Sequence, residues 1–325
     1  MRARLARSPV LFTAAVLAAA CAAASIRHRG FLSWPVLVNL VGDNAFLGLA
    51  AIGETLVVLA GGIDLSVGAV VGLASVVTAK LLFLGVPAPL VFALVPALGL
   101  GFGAFQGAVV HVFRLPPFLV TLAGLFLARG LAFVVSLEAI AIDEPLYARI
   151  AELSLDVFPV SGLVFLAAVA AAAHLETTRF GVAVRAVGGG EAAARLLGAR
   201  VGRTKIAVYA LSGLSAALGG VVATIYTSSG GATIGTGLEL DAIAAVVIGG
   251  TALAGGSGTV MGTFLGVLLL GVIPTAITFE GTLSSWWTRI VVGGLLLAFV
   301  LLQIGLRRAT RESAASVEAA GAGSV

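Results

Sequence analysis

The chain has 325 residues, of which 60% are hydrophobic and only 10% are charged. Soluble globular domains contain about 45–50% apolar and about 25% charged residues, so this chain lacks the polar side chains that cover a water-soluble globule. One Cys and three His residues exclude a disulfide framework and a Cys/His metal site. The composition predicts a membrane protein and excludes a soluble enzyme, a disordered chain and a nucleic-acid binder. No catalytic and no metal-binding residues are predicted.

Apolar runs long enough to cross a bilayer recur along most of the chain. They predict one all-α polytopic domain over 1–325, with a membrane-embedded core at 9–306 and about ten transmembrane helices, eight being the lower limit. The predicted spans are 9–26, 41–60, 65–84, 88–110, 117–136, 160–175, 205–227, 241–254, 259–278 and 287–306. The eighth span is short and lies between Gly-rich stretches, which predicts a broken or partly re-entrant helix.

The distribution of Lys and Arg predicts the orientation of these spans. Most of the 19 basic residues fall in segments that are cytoplasmic when the N-terminus is placed inside. By the positive-inside rule both termini are then cytoplasmic, and 307–325 form a cytoplasmic tail. The longest predicted outer loop, 137–159, is acidic. The basic residues therefore indicate topology and no nucleic-acid partner. The first span is predicted to be an uncleaved signal anchor, although its start resembles a secretory signal.

A glycine-rich motif, GGIDLSVG at 61–68, joins the second and third predicted spans. Its paired glycines permit a tight turn with positive φ, and Asp64 is predicted to be the N-cap of the third span. One interpretation is a capped, broken helix with a structural role only. The other is an irregular element that lines a transport path, because non-helical backbone at membrane depth must be covered by protein or water.

A second glycine-rich stretch, GGTALAGGSGT at 249–259, lies between the eighth and ninth predicted spans. It loosely repeats the first motif, since a Gly pair is again followed by small residues and a Gly-containing helix. Internal repeats of this kind occur in transporters. The glycines here are predicted to allow close helix packing rather than to bind a ligand.

A few polar and charged side chains fall inside predicted spans. A charge at the centre of a membrane helix costs about 2.5–3.5 kcal/mol on insertion scales, so the deep Glu54 and Arg129 are expected to face protein or water. The two could pair, but their spacing does not decide it. The residues predicted as candidates for lining a hydrophilic path are Asn44, Glu54, Asp64, Gln106, Thr121, Arg129 and Asp241.

The largest predicted cytoplasmic loop, 176–204, contains a predicted short helix over 190–197. Glu191 and Arg195 are spaced four residues apart in the favourable order on that helix. The loop is interpreted either as a rigid lever for a soluble partner or as an ordinary solvated basic loop. The chain contains no Gly-Lys dipeptide, so it has no P-loop. If transport is driven by ATP, another subunit must bind the nucleotide.

Four motifs together resemble the permease subunits of bacterial ABC importers for monosaccharides, the ribose-type group. They occur in the family's order over about 40–305. These motifs are GGIDLSVG at 61–68, LPPFLVT at 115–121 with Arg129-Gly130, Arg179-Phe180-Gly181, and ELDAIAAVVIGGT at 239–251. Three further stretches, at 43–48, 239–244 and 281–287, are similar to one permease of the galactofuranose importer.

The resemblance implies a multi-pass protein of the bacterial inner membrane. Two permease subunits, identical or related, form the pore in the lipid, two cytoplasmic ATPase subunits bind ATP and Mg, and a periplasmic sugar-binding protein delivers the cargo. This chain then binds no cofactor itself. The residues placed by the resemblance in the ATPase-coupling loop are Arg185, Gly188, Glu191, Arg195 and Gly198. Glu54 departs from the family pattern, so the resemblance gives it no role.

Three alternatives stay open from the sequence. The first keeps the class and changes the cargo to ribose, xylose or another small hydroxylated solute. The second is a secondary sugar carrier that needs no ATPase. The third is a membrane scaffold that transports nothing, which leaves the deep charges at Glu54 and Arg129 without an explanation.

Overall fold

The computed structural model describes residues 9–155, 158–281, 286–299 and 301, and most of these residues are helical. Helices α1 to α7 are Pro9–Arg27, Trp34–Asp43, Ala45–Leu59, Val67–Phe83, Ala88–Val112, Pro117–Val135 and Pro145–Glu152. Helices α8 to α14 are Val160–Thr177, Arg179–Gly189, Glu191–Leu196, Val201–Thr227, Leu238–Ile248, Val260–Glu280 and Trp286–Phe299. The predicted helical character of the fold is confirmed.

Four strands of two residues each accompany the helices, and the sequence did not predict them. They are β1 (Ile140–Ala141), β2 (Ser154–Leu155), β3 (Phe158–Pro159) and β4 (Ser229–Gly230). The pairs β1–β4 and β2–β3 are antiparallel, with Ile140 opposite Gly230 and Ser154 opposite Pro159. The first pair joins the loop after α6 to the end of α11. In that loop the Tyr147 hydroxyl bonds to Thr224, and burial raises the pKa of Tyr147 to about 12.

By length and composition, six of the described helices could each cross a membrane, namely α1, α5, α6, α8, α11 and α13. The pair α2–α3 counts as a seventh span, bent by 53° at its break. Helices α4 and α14 are apolar but shorter. Helix α12 has only 11 residues, which is about 16 Å of helix against a hydrocarbon core of about 30 Å. The eighth predicted span is therefore a short helix followed by irregular chain.

The bend between α2 and α3 falls inside the second predicted span, which the sequence treats as one helix. At the bend, the Asn44 side-chain amide donates to the Leu40 carbonyl at 2.8 Å. This carbonyl is the acceptor that the Asn44 backbone N–H would use in a continuous helix. The Asn44 N–H donates to the Gly42 carbonyl instead. The helix direction changes because the side chain replaces the backbone donor.

Helix α11 lies at the centre of the bundle and packs on α3, α4 and α5. It runs antiparallel to α5, and small residues let the two backbones come close. A Cβ added at Gly103 would meet the Tyr209 carbonyl, and one added at Gly213 would meet the Gly99 carbonyl. Close backbone approach of this kind gives membrane helices their packing energy, since lipid provides little hydrophobic drive between helices.

After β4 the chain turns back into the bundle as an irregular segment, 231–237, which we call the re-entrant segment. It descends along α4, with Gly230 against Ser75, and Gly235 against Gly68. The seven-residue step along α4 from Ser75 to Gly68 corresponds to about 10 Å of helix. Helix α12 starts at the lower end of this segment. The predicted break in this region is therefore present as irregular chain on both sides of α12, and its re-entrant character stays a prediction.

Candidate functional site

The loop between α3 and α4 holds a buried polar cluster around Asp64. One Asp64 oxygen accepts the Ser66 backbone N–H at 2.9 Å and the Ser66 hydroxyl at 2.6 Å. The other accepts the Ser212 hydroxyl of α11 at 2.8 Å. Asp64 is only 1% exposed. Through these bonds the carboxylate fixes the loop to the central helix.

The prediction that Asp64 is the N-cap of the third span is wrong. The N-cap of α4 is Ser66, and its side chain makes no capping bond. Asp64 lies two residues earlier and accepts the N–H of Ser66 itself, so it shapes the turn that leads into the helix. Its second oxygen is directed to Ser212, which the sequence does not place nearby.

Glu54 of α3 reaches the same loop from the opposite side. Both of its carboxylate oxygens lie 3.2 Å from the Asp64 backbone nitrogen, which donates to them. Glu54 is fully buried, at 0% exposure. A pairing with Arg129, left open by the sequence, is not formed. Arg129 donates instead to the carbonyls of Ala232 and Ile234, two residues of the re-entrant segment that are not helical.

Two other predicted path residues join the cluster. The Gln106 amide of α5 donates to the Ser66 hydroxyl at 2.9 Å. The Thr121 hydroxyl of α6 donates to the Ile63 carbonyl at 3.0 Å. Four of the seven predicted path residues therefore meet at one loop. Ser66 and Ser212 complete the cluster, and the sequence analysis missed both as functional residues because a Ser on an apolar helix gives no signal of its partner.

The remaining three predicted path residues lie elsewhere. Asn44 lies at the α2–α3 bend, with its side chain against Gly271 of α13. Arg129 holds the re-entrant segment. Asp241 lies on α12, where it lines a cavity with Arg289 of α14. The seven candidates therefore form one cluster and three separate positions.

The two glycine-rich junctions meet at α9. Gly61 of the α3–α4 loop, Gly188 of α9 and Gly255 of the α12–α13 loop have their backbones in mutual contact, and we call them the glycine joint. The Gly256 N–H donates to the Leu59 carbonyl at 2.9 Å, which ties one junction to the other. Gly61 and Gly255 both have positive φ, at 82° and 83°. The prediction that these glycines serve close packing fits this geometry.

A second link joins α9 to the start of α13. Arg185 lies 3.4 Å from the Glu176 carboxylate and also donates to the Glu176 backbone carbonyl at 3.0 Å. The same carboxylate accepts the Val260 N–H, the first of α13, at 3.0 Å. Acidic side chains stabilise helix N-termini in this way. Arg185 thus orients Glu176, which accepts the first N–H of α13, while the N-cap Thr259 accepts the Gly262 N–H.

The short helix predicted over 190–197 is present as α10. Glu191 pairs with Lys205 of α11 and not with Arg195, the pairing that the helix spacing suggested. Lys205 is largely buried, with 15% of its side chain exposed, so it is less hydrated than a cation on the surface. Gly198, with φ of 84°, ends the turn after α10.

A basic cavity of about 930 Å³ opens between α10, the α5–α6 turn and the start of α11. Among its lining residues are five cations and the acid Glu191. The cations are Arg114, Arg195, Arg200, Arg203 and Lys205. Since Lys205 is paired with Glu191, the cavity keeps four cations outside that pair. A cavity with this charge is electrostatically complementary to an acidic protein surface.

Residues 36–300 match the family model described as branched-chain amino acid transport system / permease component. This stretch is well over half of the chain, so the protein belongs to that family of transport permeases. Together with the helices described above, the match defines a multi-pass permease of the inner membrane.

Three relatives narrow the comparison. The chain is 45% identical to the inner membrane ABC transporter permease protein YjfF of Escherichia coli K12 over 92% of both chains. It is 38% identical to the fructose import permease protein FruG of Bifidobacterium longum, covering 84% of this chain and 82% of the relative. It is also 38% identical to the ribose import permease protein RbsC of Escherichia coli K12, covering 82% and 84%. No solved structure matches the chain.

Proposed function

We propose that this chain is the pore-forming permease subunit of an ABC importer for a monosaccharide, with galactofuranose as its cargo. The names of the relatives support a sugar, since two of them are permeases for ribose and fructose. The stretches at 43–48, 239–244 and 281–287 support the choice of galactofuranose. Ribose, fructose and xylose are the alternative cargoes within the same class.

The observation that carries the mechanism is the contact of α9 with both glycine junctions. Movement of α9 by a cytoplasmic partner displaces Leu59 and Gly256 together, because their backbone atoms are hydrogen-bonded to each other and both lie against Gly188. The Arg185–Glu176 link adds the start of α13 to the same unit. The buried Asp64 cluster lies on the adjoining loop. We propose that this linkage converts ATPase closure into alternating access.

The proposed assembly has two permease subunits, identical or related, and two ATPase subunits that bind ATP and Mg. A periplasmic binding protein supplies the sugar, and this chain binds no cofactor. About ten membrane crossings are proposed, with both termini and the α9–α10 region in the cytoplasm. The cations of the basic cavity then face the ATPase.

The test is uptake of labelled D-galactose, which contains the furanose form at equilibrium, in cells expressing the complete transporter. A matched strain carries an ATPase subunit unable to hydrolyse ATP. We expect uptake only with the active ATPase, and competition by unlabelled D-ribose and D-fructose measures the cargo preference. Uptake that persists with the inactive ATPase contradicts the ABC mechanism.

A second candidate function is a proton-coupled sugar carrier. It is favoured by Glu54 and Asp64, two buried carboxyl groups that form no ion pair within the described part of the chain. This carrier predicts uptake that is abolished by a protonophore and is indifferent to the ATPase variant. The same uptake assay therefore separates the two functions.

The ATPase interface has its own test. Arg195→Glu reverses a charge in the basic cavity and keeps both members of the Glu191–Lys205 pair. We expect weaker co-purification of the ATPase with normal membrane insertion. Arg149→Glu, on the predicted outer loop, is the matched control. Equal co-purification of both variants contradicts the proposed interface.

A further inference from the structure

A cavity of about 390 Å³ lies between α12 and α14, away from the Asp64 cluster. It is lined by Asp241, Trp286, Thr288, Arg289 and Val292. Its size falls within the range of about 300–1,000 Å³ that is usual for small-molecule sites. We propose that Asp241, Trp286, Thr288 and Arg289 form a binding subsite for a monosaccharide.

The position of the cavity follows from the packing of its neighbours. The Arg289 guanidinium lies against Gly237, the last residue of the re-entrant segment. That segment has already descended about 10 Å along α4 before it reaches Gly237. Asp241 lies one turn further along α12. The cavity therefore lies within the bundle's membrane-crossing zone and not at a loop tip.

The lining of the cavity is more polar than the exposed Leu240 and Ile290 beside it. Asp241 and Arg289 are close enough to interact electrostatically, and charged groups at membrane depth face protein or water rather than acyl chains. The neighbouring Thr233 and Thr236 are exposed and lie on irregular backbone. Irregular backbone inside a membrane must be covered by protein or line an aqueous space. This face is therefore interpreted as the wall of a hydrated path.

The lining has the chemistry that a neutral sugar requires. Trp286 is 70% exposed and offers an aromatic surface to the C–H groups of a sugar ring. Asp241 accepts hydroxyl protons, and the Arg289 fork donates to hydroxyl oxygens. Thr288 offers a hydroxyl that does both. A few placed polar groups beside an apolar surface are typical of small-molecule sites.

The basic cavity is different, since four of its cations lie outside any ion pair of the described residues and suit an anion rather than a sugar. The groove between α5 and α6, lined by Phe102, Phe105 and Leu127, is almost entirely apolar. Among the described cavities, only the one between α12 and α14 combines an aromatic ring with an acid, a guanidinium and a hydroxyl. The subsite rests on the proposed function for its substrate class, but its binding is measurable without transport.

The chain has three Trp residues, which allows a direct binding assay. The double variant Trp34→Phe/Trp287→Phe leaves Trp286 as the only Trp of this chain in the full transporter, reconstituted in lipid nanodiscs. The fluorescence of the partner subunits is subtracted with the triple variant Trp34→Phe/Trp286→Phe/Trp287→Phe. We expect a saturable change in its fluorescence with D-galactose, D-ribose or D-fructose. The reciprocal variant Trp34→Phe/Trp286→Phe retains Trp287 and is expected not to respond.

The single-Trp286 protein also tests the polar partners. Arg289→Lys keeps the charge beside Asp241 but loses the planar fork. We expect the sugar concentration at half-response to rise about tenfold, the equivalent of one lost charge-assisted hydrogen bond. The matched control is Arg149→Lys on α7, which is expected to leave the titration unchanged. An unchanged titration in Arg289→Lys contradicts the role of Arg289.

The outcomes separate the subsite from the proposed function. A saturable Trp286 response together with ATP-independent uptake supports the subsite and overturns the ABC mechanism. ATP-dependent uptake of a sugar to which Trp286 does not respond overturns the subsite and leaves the importer intact. Equal responses from Trp286 and Trp287 also overturn the subsite, because they indicate a general effect of sugar on the protein.

Discussion

The two glycine-rich junctions of this permease look alike in sequence and are stabilised differently. The α3–α4 junction is held by side chains, since Asp64 alone accepts three hydrogen bonds and Glu54 holds its backbone N–H. The α12–α13 junction is held by backbone contacts, such as Gly256 to Leu59. Its buried Thr251 hydroxyl makes no hydrogen bond within the described structure.

The difference suggests a division of roles between the junctions. The polar network fixes the α3–α4 loop to α5, α6 and α11 through Ser66, Thr121 and Ser212. Apart from the backbone hydrogen bond from Gly256 to Leu59, the glycine contacts of the other junction depend on shape, so they resist compression more than sliding. Gly188 lies where the two meet. We therefore expect steric changes at the joint to have the largest effects and changes of single polar atoms to have smaller ones.

Gly188→Ala is expected to have the largest effect. The new Cβ would meet the Leu59 carbonyl and the Gly256 nitrogen, and both are backbone atoms that cannot move aside as a side chain can. We expect a loss of about 3 kcal/mol or more, the upper part of the range for overpacking, and loss of ATP-driven uptake. Thermal unfolding and uptake of the full transporter measure the two effects.

Gly189→Ala is the matched control for this prediction. It lies one residue further along α9, and a Cβ there has nothing within 4 Å. Both variants gain the same methyl group on the same helix. If Gly189→Ala lowers the unfolding temperature as much as Gly188→Ala, the effect belongs to the helix in general and the glycine joint has no special role.

Asp64→Ala is expected to cost about 2 kcal/mol, because the buried Ser66 N–H loses its acceptor while the two hydroxyls can turn elsewhere. The loss should appear as a lower unfolding temperature and a lower yield of folded protein. Asp64→Asn keeps the oxygen that Ser66 needs and is expected to recover most of the stability. A normal yield of Asp64→Ala without uptake points instead to a role of Asp64 in the path.

The sequence predicts the positions of the helices well because apolar runs are local. It fails where a single side chain redirects the backbone, as at Asn44, whose amide replaces its own N–H at the Leu40 carbonyl. It also overestimates α12, since the turn at Gly249 and Gly250 ends that helix after Ile248. Both failures come from local geometry that hydropathy does not report.

The candidate site is predictable only in part, for a different reason. Glu54, Asp64, Gln106 and Thr121 are recognisable as polar residues in apolar surroundings. Their partners are not, because the bond from Ser212 to Asp64 joins residues 148 positions apart. The glycine joint likewise unites three segments whose contact no spacing predicts. The family resemblance implies that the loop around Gly188–Gly198 contacts the ATPase, which stays a prediction, and the atoms that Gly188 touches come only from the structure.

Thr251→Val tests the backbone-held junction and is expected to have a smaller effect of the opposite sign. The Thr251 side chain is fully buried against Gly258 and its hydroxyl has no partner in the described residues. Valine has nearly the same shape and removes the unpaired polar atom, so we expect a gain of about 1 kcal/mol. A loss of stability on thermal unfolding shows that the Thr251 hydroxyl is hydrogen-bonded and that side chains stabilise both junctions.

Glu54→Gln is expected to have the smallest effect, although it removes a charge from the polar junction. The glutamine oxygen can still accept the Asp64 N–H. The lost charge-assisted part of that bond and the relieved repulsion with Asp64 have opposite signs, so we expect a net change below about 0.5 kcal/mol in the free energy of unfolding.

Glu54→Leu is the comparison variant, because it leaves the buried Asp64 N–H without an acceptor at a cost of about 1–3 kcal/mol. If Glu54→Gln unfolds normally but stops uptake, the carboxyl group itself is needed, and the proton-coupled carrier becomes the better function. If Glu54→Gln and Glu54→Leu are equally destabilised, the charge stabilises the junction and the hydrogen bond to Asp64 does not.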